Sequence, residues 1–265
     1  MNPNCLNCGT AIEPGHHFCP QCGQKADTHR ISLHEITHDA IHYFTHADKG
    51  IFHLIKALAA HPGKVASEYI AGKRKTYFKP LNFFLIVAGI VVFMTTTLRK
   101  EYPRPTNRSP QDRAYVKNTA QFSMAAQAGI RAGKANQFTS RYSNFITMLA
   151  TPLFAGFFWL FYTRGKYRYL EHLVANMYFV PFIMLFYGLV VIPVQRFSSS
   201  YSVFMTALGL FFLFEILYRG IAYYQFMNKK GGWYLAKSIG VSLLASAVWI
   251  AVSYGLVWYY IRYGF

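Results

Sequence analysis

The spacing of apolar positions along this chain changes near residue 80. Before it, hydrophobic residues recur at helical intervals among polar ones. After it they run together in five stretches, about 81–98, 144–162, 173–195, 200–226 and 236–261. About 20 apolar residues in a helix cross a ~30 Å hydrocarbon core, so the pattern predicts an all-α integral membrane protein with about five transmembrane helices in 80–265. A polar loop, 99–143, divides the first stretch from the second.

The segment 26–79 is predicted to be a cytosolic, histidine-rich amphipathic helical linker. Ser32-Leu-His-Glu35 has the form of a capping box. Leu33, Ile36, Ala40, Tyr43 and Ala47 share one helical face, and His34, His38, His42 and His46 recur every four residues on the other. Each four-residue step drifts by about 40°, so the histidines form a slowly winding stripe beside Glu35 and Asp39. Three roles compete for it: a second metal site, in which imidazoles at i and i+4 share an ion; a pH-sensitive surface, since histidine gains charge near ~6.5; and a plain polar face. Residues 50–71, broken at His61-Pro62-Gly63, are too short and interrupted to span, and are expected at the membrane surface.

Within the apolar stretches the polar residues are few. Pro80 suits the first turn of a helix, and Pro181 and Pro193 are expected to bend the third span. Glu171 and His172 enter that span from its cytosolic edge, where they fit a proton relay, a metal site or pairing with Arg164 or Arg168. Glu215 and Arg219 stand at i and i+4, the favourable order for an intrahelical ion pair, with Arg219 expected to snorkel to the interface. Trp258, Tyr259, Tyr260 and Tyr263 form an aromatic belt at the far end of the last span.

All four cysteines lie in the first 22 residues, as Cys5-Leu-Asn-Cys8 and Cys19-Pro-Gln-Cys22, each pair followed by glycine. Two C-x2-C knuckles offer four thiolates at the corners of a tetrahedron, the donor set of a closed structural Zn²⁺ site. Disulfides are the alternative. The opening Met1-Asn-Pro-Asn4 has neither a basic n-region nor an apolar h-region, so an exported, oxidising environment is not expected. Residues 1–25 are therefore predicted to be a small N-terminal zinc ribbon whose Zn²⁺ is structural.

Net charge is +17. In a chain this apolar, it speaks for anionic lipid and topology rather than nucleic acid. Lys73, Arg74, Lys75 and Lys79 precede the first span and are expected to meet lipid headgroups or a phosphate, Arg74 offering a bidentate fork. The short basic loops at Arg164 to Arg168 and at Lys229-Lys230 favour a cytosolic N-terminus. The 99–143 loop, with nine Lys/Arg against two acids, opposes it. An N-terminus inside is preferred because a cysteine ribbon without a signal stays in the cytosol.

The chain contains no P-loop, dinucleotide fingerprint, nucleophile elbow or internal repeat. The order Cys5-x-x-Cys8-Gly, Phe18-Cys-Pro-Gln-Cys-Gly-Gln24, His61-Pro-Gly-Lys, then 69–80 (Tyr-Ile-Ala-Gly-Lys-Arg-Lys-Thr-Tyr-Phe-Lys-Pro) and Tyr169-Leu-Glu171-His172 resembles a family of uncharacterised bacterial inner-membrane proteins with an N-terminal zinc ribbon and a small multispan domain. The resemblance implies a bacterial inner membrane and assigns no chemistry. The leading expectation is a non-enzymatic adaptor or accessory subunit. Its ribbon would dock a protein partner and its basic segment anionic lipid, with oligomers possible. The alternatives are an ion- or proton-coupled transporter subunit using Glu171, His172 and Glu215, and a metal-dependent membrane enzyme acting on lipid.

Overall fold

A computed structural model describes residues 4–26, 50–98, 124–163, 165–198 and 200–263, with some side chains of 124–145 left out. The histidine stripe from His34 to His46, the 32–35 capping box and Arg164 lie outside the described residues. Where described, the chain is helical beyond the ribbon: α1 (Gly50–Ala60), α2 (Pro62–Ile70), α3 (Pro80–Leu98), α4 (Met124–Leu149), α5 (Thr151–Phe161), α6 (Tyr169–Phe197), α7 (Tyr201–Phe226) and α8 (Gly232–Tyr263).

Four of these, α3, α6, α7 and α8, are long and apolar enough to cross a membrane. The expected second span differs. Its apolar part, Ile146–Phe161, is too short to qualify, and Ala150 divides it between α4 and α5. Pro152 at the start of α5 lacks the amide that would continue the α4 ladder, which is why the break falls there.

Pairwise contacts give the direction of each helix. Gly188 of α6 faces Val91 and Met94 of α3, and Tyr178 on α6 donates to the Phe78 carbonyl at 2.8 Å, so α3 and α6 run parallel. The chain must therefore return between them. It does so along α8, where Arg131 lies by Ile261, Phe154 by Trp249 and Tyr162 by Ser238. Rings zip α6 to α7 in antiparallel order, through Phe182–Tyr218, Phe186–Phe214 and Tyr187–Phe211. In α6 the segment Tyr187–Val191 widens to a π-turn just before Pro193. That proline cannot donate to the Leu189 carbonyl and its ring would crowd it, and one wider turn relieves both.

Residues 50–79 do not lie loosely on a surface. Leu54 and Leu58 of α1 and Val65, Ala66 and Tyr69 of α2 are buried in the same core as Phe179, Tyr223 and Phe226. Tyr218 donates to the Leu58 carbonyl at 3.1 Å. The amide of Gly63 donates to Gln225 Oε1 at 3.1 Å, and a Cβ at Gly63 would stand 2.2 Å from the Ala222 carbonyl oxygen. Only a residue without a side chain lets α2 approach the α7 backbone this closely, which explains the glycine of His-Pro-Gly, while Pro62 in the first turn of α2 makes the break from α1.

Candidate metal centre and its seat on the helical bundle

The two knuckles fold alike. In the first, Cys5 N–H donates to the Thr10 carbonyl (2.8 Å) and Gly9 N–H to the Cys5 carbonyl (2.8 Å). In the second, Cys19 N–H donates to Gln24 (2.7 Å) and Gly23 N–H to Cys19 (2.9 Å). Gly9 and Gly23 take φ of 80° and 67°, the left-handed region that closes each turn. Isolated bridges Asn4 to Ala11 and Phe18 to Lys25 tie off the two loops.

The four ligand sulfurs all lie within 4.8 Å of one another, with Cys5–Cys22 and Cys8–Cys19 at 3.6 Å. Tetrahedral coordination at a metal–sulfur distance of ~2.3 Å puts sulfurs about 3.8 Å apart, so the donor set fits one metal ion. All four are free thiols. Side-chain and backbone hydrogen bonds at Thr10 hold the Cys8 thiol down to about 6, while burial pushes that of Cys22 up to about 11.

One face of this unit sits on the loop after α2. Asn7, between the first two cysteines, accepts from the Thr76 amide at 3.1 Å and also bonds its hydroxyl. Gln24, buried just past the second knuckle, accepts from the amides of Arg74 (3.2 Å) and Lys75 (3.4 Å). Leu6 covers Gly72, whose φ is 115° and where a Cβ would come within 2.7 Å of that leucine. Below the loop, Glu68 pairs with Lys73 at 3.0 Å and accepts from the Tyr77 hydroxyl at 2.7 Å. Burial raises the Glu68 carboxyl, but the two donors outweigh it and leave it below its usual value. Burial, then the bond to Glu68, pushes the Tyr77 phenol up. The basic run is thus divided: Lys73 is ion-paired, the Arg74 and Lys75 backbone holds the ribbon, and the Lys75 side chain is exposed. Lys79 is half-buried beside α3.

Behind this platform lies a buried polar cluster. Glu171, one turn into α6, accepts from the Arg168 amide at 2.6 Å and so caps the helix; it is 8% exposed. His172 is fully buried, stacked with Tyr162 and Tyr223 and edge-on to Phe226, and neither ring nitrogen has a hydrogen-bond partner. Asn176 donates to the Tyr223 hydroxyl at 2.6 Å. Arg219 pairs with Glu215 at 2.5 Å. Arg219 does not snorkel: its side chain is 3% exposed and lies over the Phe154 ring at 4.6 Å, while Glu215 is the more exposed partner. The approach of α5 turns the guanidinium inward. Ser242 and Ser246 of α8 carry buried hydroxyls without partners.

Asn7, Gln24, Glu68 and Tyr77 are absent from the sequence-based candidates. Their only signal is a long polar side chain beside each knuckle and a lone acid one turn before a basic run. Ser238, Ser242 and Ser246 are absent from those candidates too, although their spacing by four in an apolar helix is a signal the sequence carries.

These features define a class: a helical, multi-pass membrane protein with an N-terminal cysteine site able to hold a metal. The family model described as "Protein of unknown function (DUF3667)" matches residues 48–92, a stretch that runs from α1 through the ribbon's seat into α3. No curated protein and no solved structure matches the chain.

Proposed function

We propose that this chain is a non-enzymatic adaptor or accessory subunit of a bacterial inner membrane, presenting a cytosolic zinc ribbon to a protein partner. The observation that carries this reading is the hydrogen-bonded seat of the ribbon on 72–76. A ribbon held by Asn7, Gln24 and Leu6 is oriented before any partner arrives, which lowers the ordering cost of binding. Phe18, in the second knuckle, is 56% exposed and offers the apolar anchor. Zn²⁺ is the metal that four thiolates in a closed site favour. The antiparallel run of α4 and α5 along α8 supports a fifth crossing, with the N-terminus inside and the C-terminus outside. Lys75 is an exposed cation for anionic headgroups on the ribbon side. The test is a photo-crosslinking residue at position 18 of the full chain in native membrane. One discrete partner adduct is expected, lost on Cys19→Ser and absent when the crosslinker is moved to Glu13. Adducts of equal yield from both positions, or none, overturn the docking role.

A second reading follows from the buried polar cluster. His172, Asn176, Arg219, Ser242 and Ser246 line helix faces inside a membrane bundle, where polar groups mark ion or proton paths. Proton-coupled flux in liposomes, abolished by His172→Phe, would favour the transporter subunit over the adaptor. The lipid-enzyme reading requires more than one metal per chain, since its ligands would be His34, His38, His42 and His46.

A further inference from the structure

Between α4 and α8, away from the ribbon and the polar cluster, lies a cavity of about 750 Å³. That is within the range of about 300–1,000 Å³ typical of ligand pockets. Phe138, Trp249 and Leu256 supply apolar wall, Ser253 a hydroxyl, and Lys134 and Tyr260 line it towards the C-terminal end of α8. Trp249 and Tyr260 stand about 16 Å apart at 1.5 Å per residue. This is close to half of a ~30 Å hydrocarbon core, the depth of one leaflet.

The charge at that end is one-sided. Lys134 is the charged residue of the lining, and neither α4 nor α8 contains an Asp or Glu. Arg131, one turn earlier, is engaged with the last carbonyls of α8, donating to Ile261 at 3.5 Å and Arg262 at 3.3 Å, where it offsets the negative helix end. Arg262 lies over the Trp258 ring at 5.3 Å, amid the aromatic residues that mark a membrane interface. Lys134 thus stands at interfacial depth, exposed, above an apolar slot.

We propose that this cavity is a specific lipid site, holding one acyl chain of an anionic phospholipid from the surrounding leaflet with its phosphate at Lys134. The chain runs along α8 from Tyr260 towards Trp249. The site rests on α8 crossing a bilayer and is independent of any docking role of the ribbon.

The full-length protein would be reconstituted in phosphatidylcholine vesicles with a minor fraction of phosphatidylglycerol, extracted in mild detergent, and its retained lipid counted by native mass spectrometry. Wild type is expected to retain phosphatidylglycerol enriched about fivefold over its share of the vesicle, the worth of one basic group at an anionic surface. Lys134→Glu should reduce the enrichment to parity or below. Ser253→Trp, which fills the slot, should remove the retained lipid of either kind. Lys230→Glu, an exposed cation at the opposite end of α8, should leave the enrichment unchanged. Lys134 is exposed, so its reversal carries the test even where the tryptophan variant lowers the melting temperature. Enrichment that survives Lys134→Glu, that falls equally with Lys230→Glu, or that is absent in wild type overturns the site. Retention of free fatty acid in place of phospholipid overturns the source.

Discussion

Asn7, enclosed between Cys5 and Cys8, accepts a hydrogen bond from the Thr76 amide at 3.1 Å across 69 residues of sequence. The turn that would wrap a metal is therefore the turn that grips the loop before the first span. Metal binding and docking of the ribbon are therefore expected to be coupled, because Asn7 and Gln24 are carried by the same two turns that bring the cysteines together.

Replacing any one of Cys5, Cys8, Cys19 and Cys22 with Ser should lower metal content from one ion per chain to near zero. It should also expose the amides of Arg74, Lys75 and Thr76 to exchange, while the protein stays in the membrane. Asn7→Ala and Gln24→Ala should keep the metal and speed the same exchange, each removing two bonds worth about 1 kcal/mol apiece. Metal analysis beside hydrogen exchange separates the two groups. Unchanged exchange in the cysteine variants would mean that the seat does not depend on the metal.

Gly63→Ala should destabilise the protein by about 2 kcal/mol or more, because the new methyl overlaps the backbone of Ala222 and Phe226, where nothing flexible can yield. Gly89→Ala meets no atom within 4 Å and should be neutral. Thermal melting in detergent compares them, and equal melting temperatures would contradict the close α2–α7 contact.

Glu215→Gln should cost about 3–5 kcal/mol by leaving Arg219 buried without its counter-charge. Combining it with Arg219→Leu should recover much of that loss, since a leucine fits beside Phe154. A double variant as unstable as the single one would show that Arg219 is held by more than Glu215.

The Glu68 pKa lies below its usual 4.5 in the folded protein, so its contribution to stability is complete above that value and is lost as pH falls through the lower folded one. Tyr77 is raised, so its contribution is complete below its ordinary 10 and fades at higher pH. Between those limits the Lys73–Glu68–Tyr77 contact should hold. Exchange at 72–76 should accelerate below about pH 4.5, and Glu68→Gln should flatten that dependence. An identical acid profile in the variant would assign the transition to another group.

Single reporter thiols at Gly9, Gln121, Lys166 and Phe265 in the intact membrane should label as inside, outside, inside, outside. The parallel course of α3 and α6 requires a return between them, so Gln121 and Lys166 must fall on opposite sides if both helices cross. Labelling of both from one side would remove the α4–α5 crossing.

The ribbon and most of the membrane helices were legible in the sequence because each depends on local spacing. Two C-x2-C-Gly turns close within 18 residues, and a run of 20 apolar residues has one low-energy form in a bilayer. The Glu215–Arg219 pair is likewise a four-residue relationship. The cap made by Glu171 is as local, yet read from sequence that carboxylate is assigned to a relay, a metal or an arginine. Tertiary packing decided the rest. It recruited 50–79 into the core, since the small surface of Gly63 shows its use only against α7. It turned Arg219 inward because α5 brings Phe154 over it. It also gave the basic run its main task, because Arg74, Lys75 and Thr76 offer backbone amides to Asn7 and Gln24, and every residue but proline carries that amide, so no residue type in the run announces it.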